Sequence, residues 1–150
     1  MHALKFFYAI LAMLLASLIP ASVQAENVVH FGDYAVHYNA LRTDTLTPEI
    51  AQAYQLTRRN NRVMVNITVQ KKQADGKTTP HKAKVEGFAS NLNAQVKSLE
   101  FREIQDGDAI YYIAETQISN EETLKFDIKV TPDGGTRSTQ VKFNQQFFTD

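Results

Sequence analysis

The chain has no cysteine. That excludes disulfides, thiolate metal sites, cysteine nucleophiles and lipid attachment through a thiol. It also lacks a charge bias. Sixteen basic and sixteen acidic residues balance, and removal of an N-terminal leader carrying Lys5 leaves a formal charge of −1. A chain with so little net charge has no field to draw in nucleic acid or an anionic membrane surface. Long apolar runs are absent as well, with one exception near the N-terminus. No internal repeat, linker or low-complexity stretch divides the remainder.

The exception is "FFYAILAMLLASLI", Phe6 to Ile19. Lys5 and the amino terminus give a positive flank before it. Pro20 follows, and "VQA" (Val23 to Ala25) puts small residues at the cleavage-determining positions. The layout is that of a secretory signal peptide. The run is short for a helix that must cross about 30 Å of hydrocarbon. The expectation is residues 1–25 as signal peptide, cleavage after Ala25, a periplasmic location and no stable membrane insertion afterwards. Residues 26–150 then form one domain, long enough for a sizeable core.

Alternation of apolar and polar residues dominates that domain. "DYAVHYNA" places Tyr34, Val36, Tyr38 and Ala40 on one face, "RVMVNITVQ" does the same with Val63, Val65, Ile67 and Val69, and "TLKFDIKV" with Leu124, Phe126, Ile128 and Val130. Period two with one wet face marks antiparallel strands. Asp-Gly turns at "KQADGKTTP", "QDGD" and "TPDGGT" separate the runs, because these residues tolerate positive φ. Seven strands are expected, at 33–40, 62–70, 82–89, 97–104, 109–118, 123–131 and 136–148. Their spacing predicts an all-β, two-sheet antiparallel sandwich, with an open barrel as the alternative. One short helix is expected in "LTPEIAQAYQL". Thr47 is its cap, Pro48 suits its first turn, Ile50 and Tyr54 share a face, and it plugs one end of the sheets.

The segments "FGDYAVHYNAL", "LTPEIAQAY", "NRVMVNITVQ", "FREIQDGDAIYYIAE" and "VKFNQQFFTD", in that order, resemble a family of small exported bacterial proteins known as domain of unknown function 4426. The resemblance spans nearly all of residues 26–150. It implies a single periplasmic domain of immunoglobulin-like sandwich type. It brings no activity, catalytic residue or cofactor with it.

Chemistry-bearing residues are sparse. Ser90, Ser98, Ser119 and Ser138 lack a glycine-flanked elbow and a histidine placed to activate them, so no catalytic residue is assigned and no enzyme is expected. His30, His37 and His81 show no His-x-His or His-x3-His spacing, so no metal site or cofactor is assigned. Glu103, Asp106 and Asp108 lack the further ligand that a calcium loop needs, and read as a solvated turn. Candidates for binding remain. His37 and Asn39 share a strand face. Arg58, Arg59 and Arg62 in "TRRNNR" offer forked donors without the interleaved aromatics that stack nucleic-acid bases. Tyr111 and Ile113 make "AIYYIAETQI" apolar on its second face, which requires either a covering segment or an exposed patch. Phe148 points away from Phe147 in a regular strand, towards that second face as cover or as a partner anchor. Together these point to a non-enzymatic periplasmic accessory module that binds a protein or peptide. The alternative is a small-ligand or metal-ion binder using His37, Asn39 and the arginines.

Overall fold

The structure is a computed structural model that describes residues 27–150. The expected signal peptide lies outside the described residues. The element order is β1 (Val28–Phe31), β2 (Tyr34–Arg42), a 3-10 turn (Thr43–Thr45), α1 (Pro48–Ala53), β3 (Arg62–Lys72), β4 (Thr78–Pro80), β5 (Ala83–Asn91), β6 (Val96–Leu99), β7 (Arg102–Asp106), β8 (Ala109–Gln117), β9 (Glu122–Pro132) and β10 (Thr139–Phe147). The strands form two antiparallel sheets. The first has the order β1-β2-β3-β8-β7, with β4 on the end of β3, and the second has β10-β9-β5-β6. The expected sandwich is therefore present, with ten strands rather than seven.

Two extra strands, β1 and β4, are four and three residues long, too short for alternation to show. The third arises because residues 97–104 are not one strand. β6 belongs to the second sheet and β7 to the first, with Glu100 and Phe101 crossing between them. A change of phase accompanies the crossing. Leu99 and Phe101 serve the central core, whereas Ile104 faces the outside of the first sheet.

The central core follows the predicted alternation. Val63, Val65, Ile67 and Val69 from β3 meet Leu124, Phe126, Ile128 and Val130 from β9. Each such side chain, fully buried, contributes about 1.5–3 kcal/mol. Phe126 stacks on Phe143 (4.5 Å, 16°) and meets Phe147 edge-on (6.3 Å, 84°), and Phe143 also touches Tyr38 of the opposite sheet at 4.8 Å. Gln145 falls on the same side of β10 as these rings. Its amide donates to the Ala40 carbonyl at 3.1 Å, which closes the gap between the β10 and β2 edges. Gly87 is dictated by close approach. A Cβ there would lie 2.7 Å from the Asp127 carbonyl oxygen and 2.9 Å from the Ile128 Cα.

A second, smaller core lies on the outer face of the first sheet. Met64 and Ile113 pack there against Ala51 and Leu56, with Leu41, Leu46, Tyr54, Ile104 and Tyr111 around them. The helix thus covers a sheet face instead of plugging an end. Thr47 caps it through its hydroxyl, which accepts from the Ile50 amide at 3.3 Å, and Pro48 opens its first turn. The buried position is Ala51, not Ile50, which is 42 % exposed. At the C-terminal end the Leu56 amide bonds the Ala51 carbonyl (2.7 Å) and the Gln55 amide bonds that of Gln52 (3.1 Å), with Gln55 at φ 55°. This is a Schellman stop, in which Leu56 turns back onto Ala51. Arg102 fastens it from β7 by donating to the Tyr54 carbonyl.

Candidate functional site

Four segments meet at one end of the sandwich: the β5–β6 hairpin, the β8–β9 turn, residues 57–61 ahead of β3, and the last three residues. The Asn91 side-chain oxygen accepts from the Asn93 and Gln95 amides, both at 3.0 Å, and shapes the first hairpin around Ala94 at φ 59°. Asn120 fixes the C-terminus, accepting from the Thr149 amide (2.9 Å) and donating to the Asp150 carboxylate (2.8 Å). Asn60 donates to the Thr149 carbonyl at 2.8 Å, and the Ile118 amide to that of Asn61 at 3.0 Å.

The centre of this end is an ion pair. Lys97 Nζ lies 2.6 Å from Glu122 Oε1, and the two side chains are only 23 % and 10 % exposed. Lys97 also donates to the Gln117 carbonyl at 2.7 Å, linking β6 to the end of β8. Glu122 accepts further from the Ser119 amide (2.7 Å) and from Asn91 (3.3 Å). Burial opposes the charge on Glu122, but the Lys97, Ser119 and Asn91 donors outweigh it and hold the carboxyl below its ordinary value. Both carboxylate oxygens are engaged. An ionised, fully bonded carboxylate is an anchor and a poor proton acceptor.

Beside the pair opens a cleft of about 400 Å³, lined among others by Asn91, Gln95, Ser119 and Thr123. Large apolar side chains stand out at the same end: Leu92 is 70 % exposed, Val96 67 % and Phe148 50 %. Arg42 joins them to the arginine loop. Its guanidinium grips Asp44 with two bonds (3.0 and 3.1 Å) and donates to the Phe148 carbonyl at 2.5 Å.

The residues singled out by sequence do not form one site. Arg58 and Arg59 are exposed at this end. Arg58 donates to the Asp44 carbonyl at 3.0 Å, and the Arg59 amide to the fully buried Thr43 hydroxyl, also at 3.0 Å. Arg62 turns away to the outer face of the first sheet, where its Nε lies 3.2 Å from Glu115 Oε1. His37 and Asn39 lie on that outer face too, beside Asn66 and Thr68 in a shallow cleft of about 260 Å³. Tyr111 and Ile113 belong to the second core, and Ile113 is 1 % exposed, so the helix segment supplies the cover that their apolar face requires. Phe148 is not part of that core, because the second core ends at the helix and Phe148 sits at the end of the sandwich. Sequence reasoning missed Arg42, Lys97 and Glu122. Glu122 lies in the short polar run "NEE" (Asn120 to Glu122), and only its pairing with a residue 25 positions earlier distinguishes it. Among the described residues, no three histidine, aspartate or glutamate side chains converge as a metal site would need, and no helix is long and apolar enough to cross a membrane.

The architecture defines a small two-sheet β-sandwich with the Lys97–Glu122 cluster fastening the segments at one end. Residues 28–150 match the family model described as a domain of unknown function (DUF4426), and the chain belongs to that family. The crystal structure of a DUF4426 family protein from Pseudomonas aeruginosa is 38% identical, covering 85% of this chain and 98% of that one, with a TM-score of 0.72. FetP from a uropathogenic Escherichia coli strain, expressed recombinantly in the periplasm, shares the fold at 11% identity, with coverage of 83% and 94% and a TM-score of 0.53. A copper-bound variant of the same FetP is similar at 10% identity, coverage of 82% and 90%, and a TM-score of 0.51. The search of curated proteins found no match.

Proposed function

We propose that this protein is a non-enzymatic interaction module of the periplasm, binding a protein or peptide through the Lys97–Glu122 end of the sandwich. One observation carries the reading. Leu92 and Val96 on the β5–β6 hairpin and Phe148 on the C-terminal tail are held out to solvent, and the Asn91, Asn120 and Glu122 bonds keep these segments in place. Apolar anchors on a preorganised frame bind at a low cost in ordering. Arg58 and Arg59 add forked donors at the same end for an acidic or carbonyl-rich partner. The signal-peptide layout of residues 1–25 supports the compartment.

The test is site-specific photo-crosslinking in cells. A photoreactive residue at Leu92, Val96 or Phe148 is expected to trap the same partner band, whereas one at Lys84 on the outer face of the second sheet is not. Equal trapping at all four positions, or none, overturns the proposal. A second reading, a metal-ion binder, draws support from the copper-bound FetP variant of the same fold. Its ligands here would start from His37 and Asn39. Saturable copper binding by the purified protein, lost in His37→Ala, would favour it.

A further inference from the structure

The opposite end of the sandwich carries a different kind of cleft. It measures about 220 Å³ and lies between the β1–β2 turn and the β9–β10 loop, lined by Phe31, Asp33, Tyr34, Gly135, Thr136 and Arg137. Its apolar wall is built. The Phe31 and Tyr34 rings stack at 5.4 Å and 28°, the His81 ring packs on Tyr34 at 5.2 Å, and Lys71 Nζ sits 5.7 Å from the Tyr34 centroid.

The backbone on both sides is tied down. The Lys72 amide donates to the Asp33 carbonyl at 2.7 Å. The Asp133 amide donates to the Lys82 carbonyl, and His81 Nε2 to the Asp133 carbonyl, both at 2.9 Å. Gly135 lies against the Pro132 carbonyl, where an added Cβ would sit at 3.2 Å. The two charged side chains are not tied. Neither the Asp33 carboxylate nor the Arg137 guanidinium has a side-chain partner among the described residues, and they do not pair with each other.

We propose that this cleft binds a zwitterionic small molecule with an aromatic or large apolar side chain, an α-amino acid of that type. Arg137 would take the carboxylate through its forked donors, Asp33 the ammonium, and the Phe31–Tyr34 wall the side chain. Charge complementarity selects this class. A simple carboxylic acid leaves Asp33 facing a second negative group, and a simple amine leaves Arg137 facing a second positive one. The site is independent of the interaction surface at the other end.

The experiment is an NMR titration of the purified 15N-labelled protein with L-phenylalanine, 3-phenylpropionate and phenethylamine. L-Phenylalanine is expected to give saturable shifts at Gly32, Tyr34 and Thr136. Each analogue lacks one charge and is expected to bind about tenfold more weakly, the scale of one lost charged hydrogen bond. Arg137→Ala and Asp33→Asn are each expected to weaken L-phenylalanine by about tenfold with unchanged thermal stability, because both side chains are exposed. Absence of saturable shifts, equal binding of the three compounds, or shifts confined to the Glu122 end would overturn the proposal. None of these outcomes bears on the crosslinking result.

Discussion

Removing the Glu122 carboxylate tests whether the Lys97–Glu122 end of the sandwich is held by electrostatics or merely decorated by it. Glu122→Ala deletes a 2.6 Å ion pair, a 2.7 Å bond from the Ser119 amide and a longer one from Asn91. It also leaves Lys97, 23 % exposed, with only the Gln117 carbonyl as partner. Single hydrogen bonds to charged groups are worth about 1.5–3 kcal/mol and are not additive, and breaking a buried pair costs about 3–5. Partial exposure of Lys97 places this loss near the lower bound, about 3 kcal/mol. With an m-value of roughly 1.5–2 kcal/mol/M, the urea midpoint should fall by about 1.5–2 M. A double-mutant cycle with Lys97→Met should return a coupling above about 1 kcal/mol.

The pH dependence provides a second reading of the same group. The folded value lies below the unfolded one, which is about 4.3. The contribution is therefore complete above the unfolded value and is lost as pH falls through the folded one. Glu122→Gln should show a shallower acid limb than the wild type. A Glu122→Ala protein within about 0.5 kcal/mol of wild type, the range of unremarkable surface changes, would refute the assignment of Glu122 as the anchor.

Other substitutions probe the frame. Gly87→Ala should destabilise by about 1–3 kcal/mol in urea, since its methyl must displace the β9 backbone rather than a flexible side chain. Gln55→Gly should raise the melting temperature by a few degrees, about 0.5–1 kcal/mol, because Gln55 holds a left-handed conformation that glycine adopts freely. Phe147→Ala should cost about 3–5 kcal/mol and Phe148→Ala much less, as the first is 4 % exposed and the second 50 %. Equal losses at the two positions in a urea titration would place Phe148 in the interior.

Alternation made the sheets legible because β9 and β10 keep one wet face throughout and β3 does so beyond Met64. Val63 to Val69 and Leu124 to Val130 could be assigned to a core without knowing what they meet. The same logic flagged Tyr111 and Ile113 as needing cover, but could not say that Ala51 and Leu56 supply it. That depends on where a helix of six residues docks, and its own periodicity is too short to choose between Ile50 and Ala51. The β6–β7 crossing was written in the shift from odd to even apolar positions between Phe101 and Ile104. One shifted residue in so short a run is easily absorbed into a single imagined strand.

The residues of the candidate site were hardest to see, for a physical reason. A polar group on a strand or turn acquires its role from partners distant in sequence, and local pattern carries no record of them. Lys97 reads as an ordinary outward lysine until β6 is paired with β5 and its ammonium reaches both Glu122 and the Gln117 carbonyl. Arg42 falls outside the strand expected at 33–40 and reads as an ordinary surface cation until the C-terminus returns beside it. Phe148 illustrates the opposite case. Its alternation with Phe147 separated the two rings correctly, one buried and one exposed. Its destination was not legible, because β10 ends at Phe147 and alternation has no meaning beyond the strand that generates it.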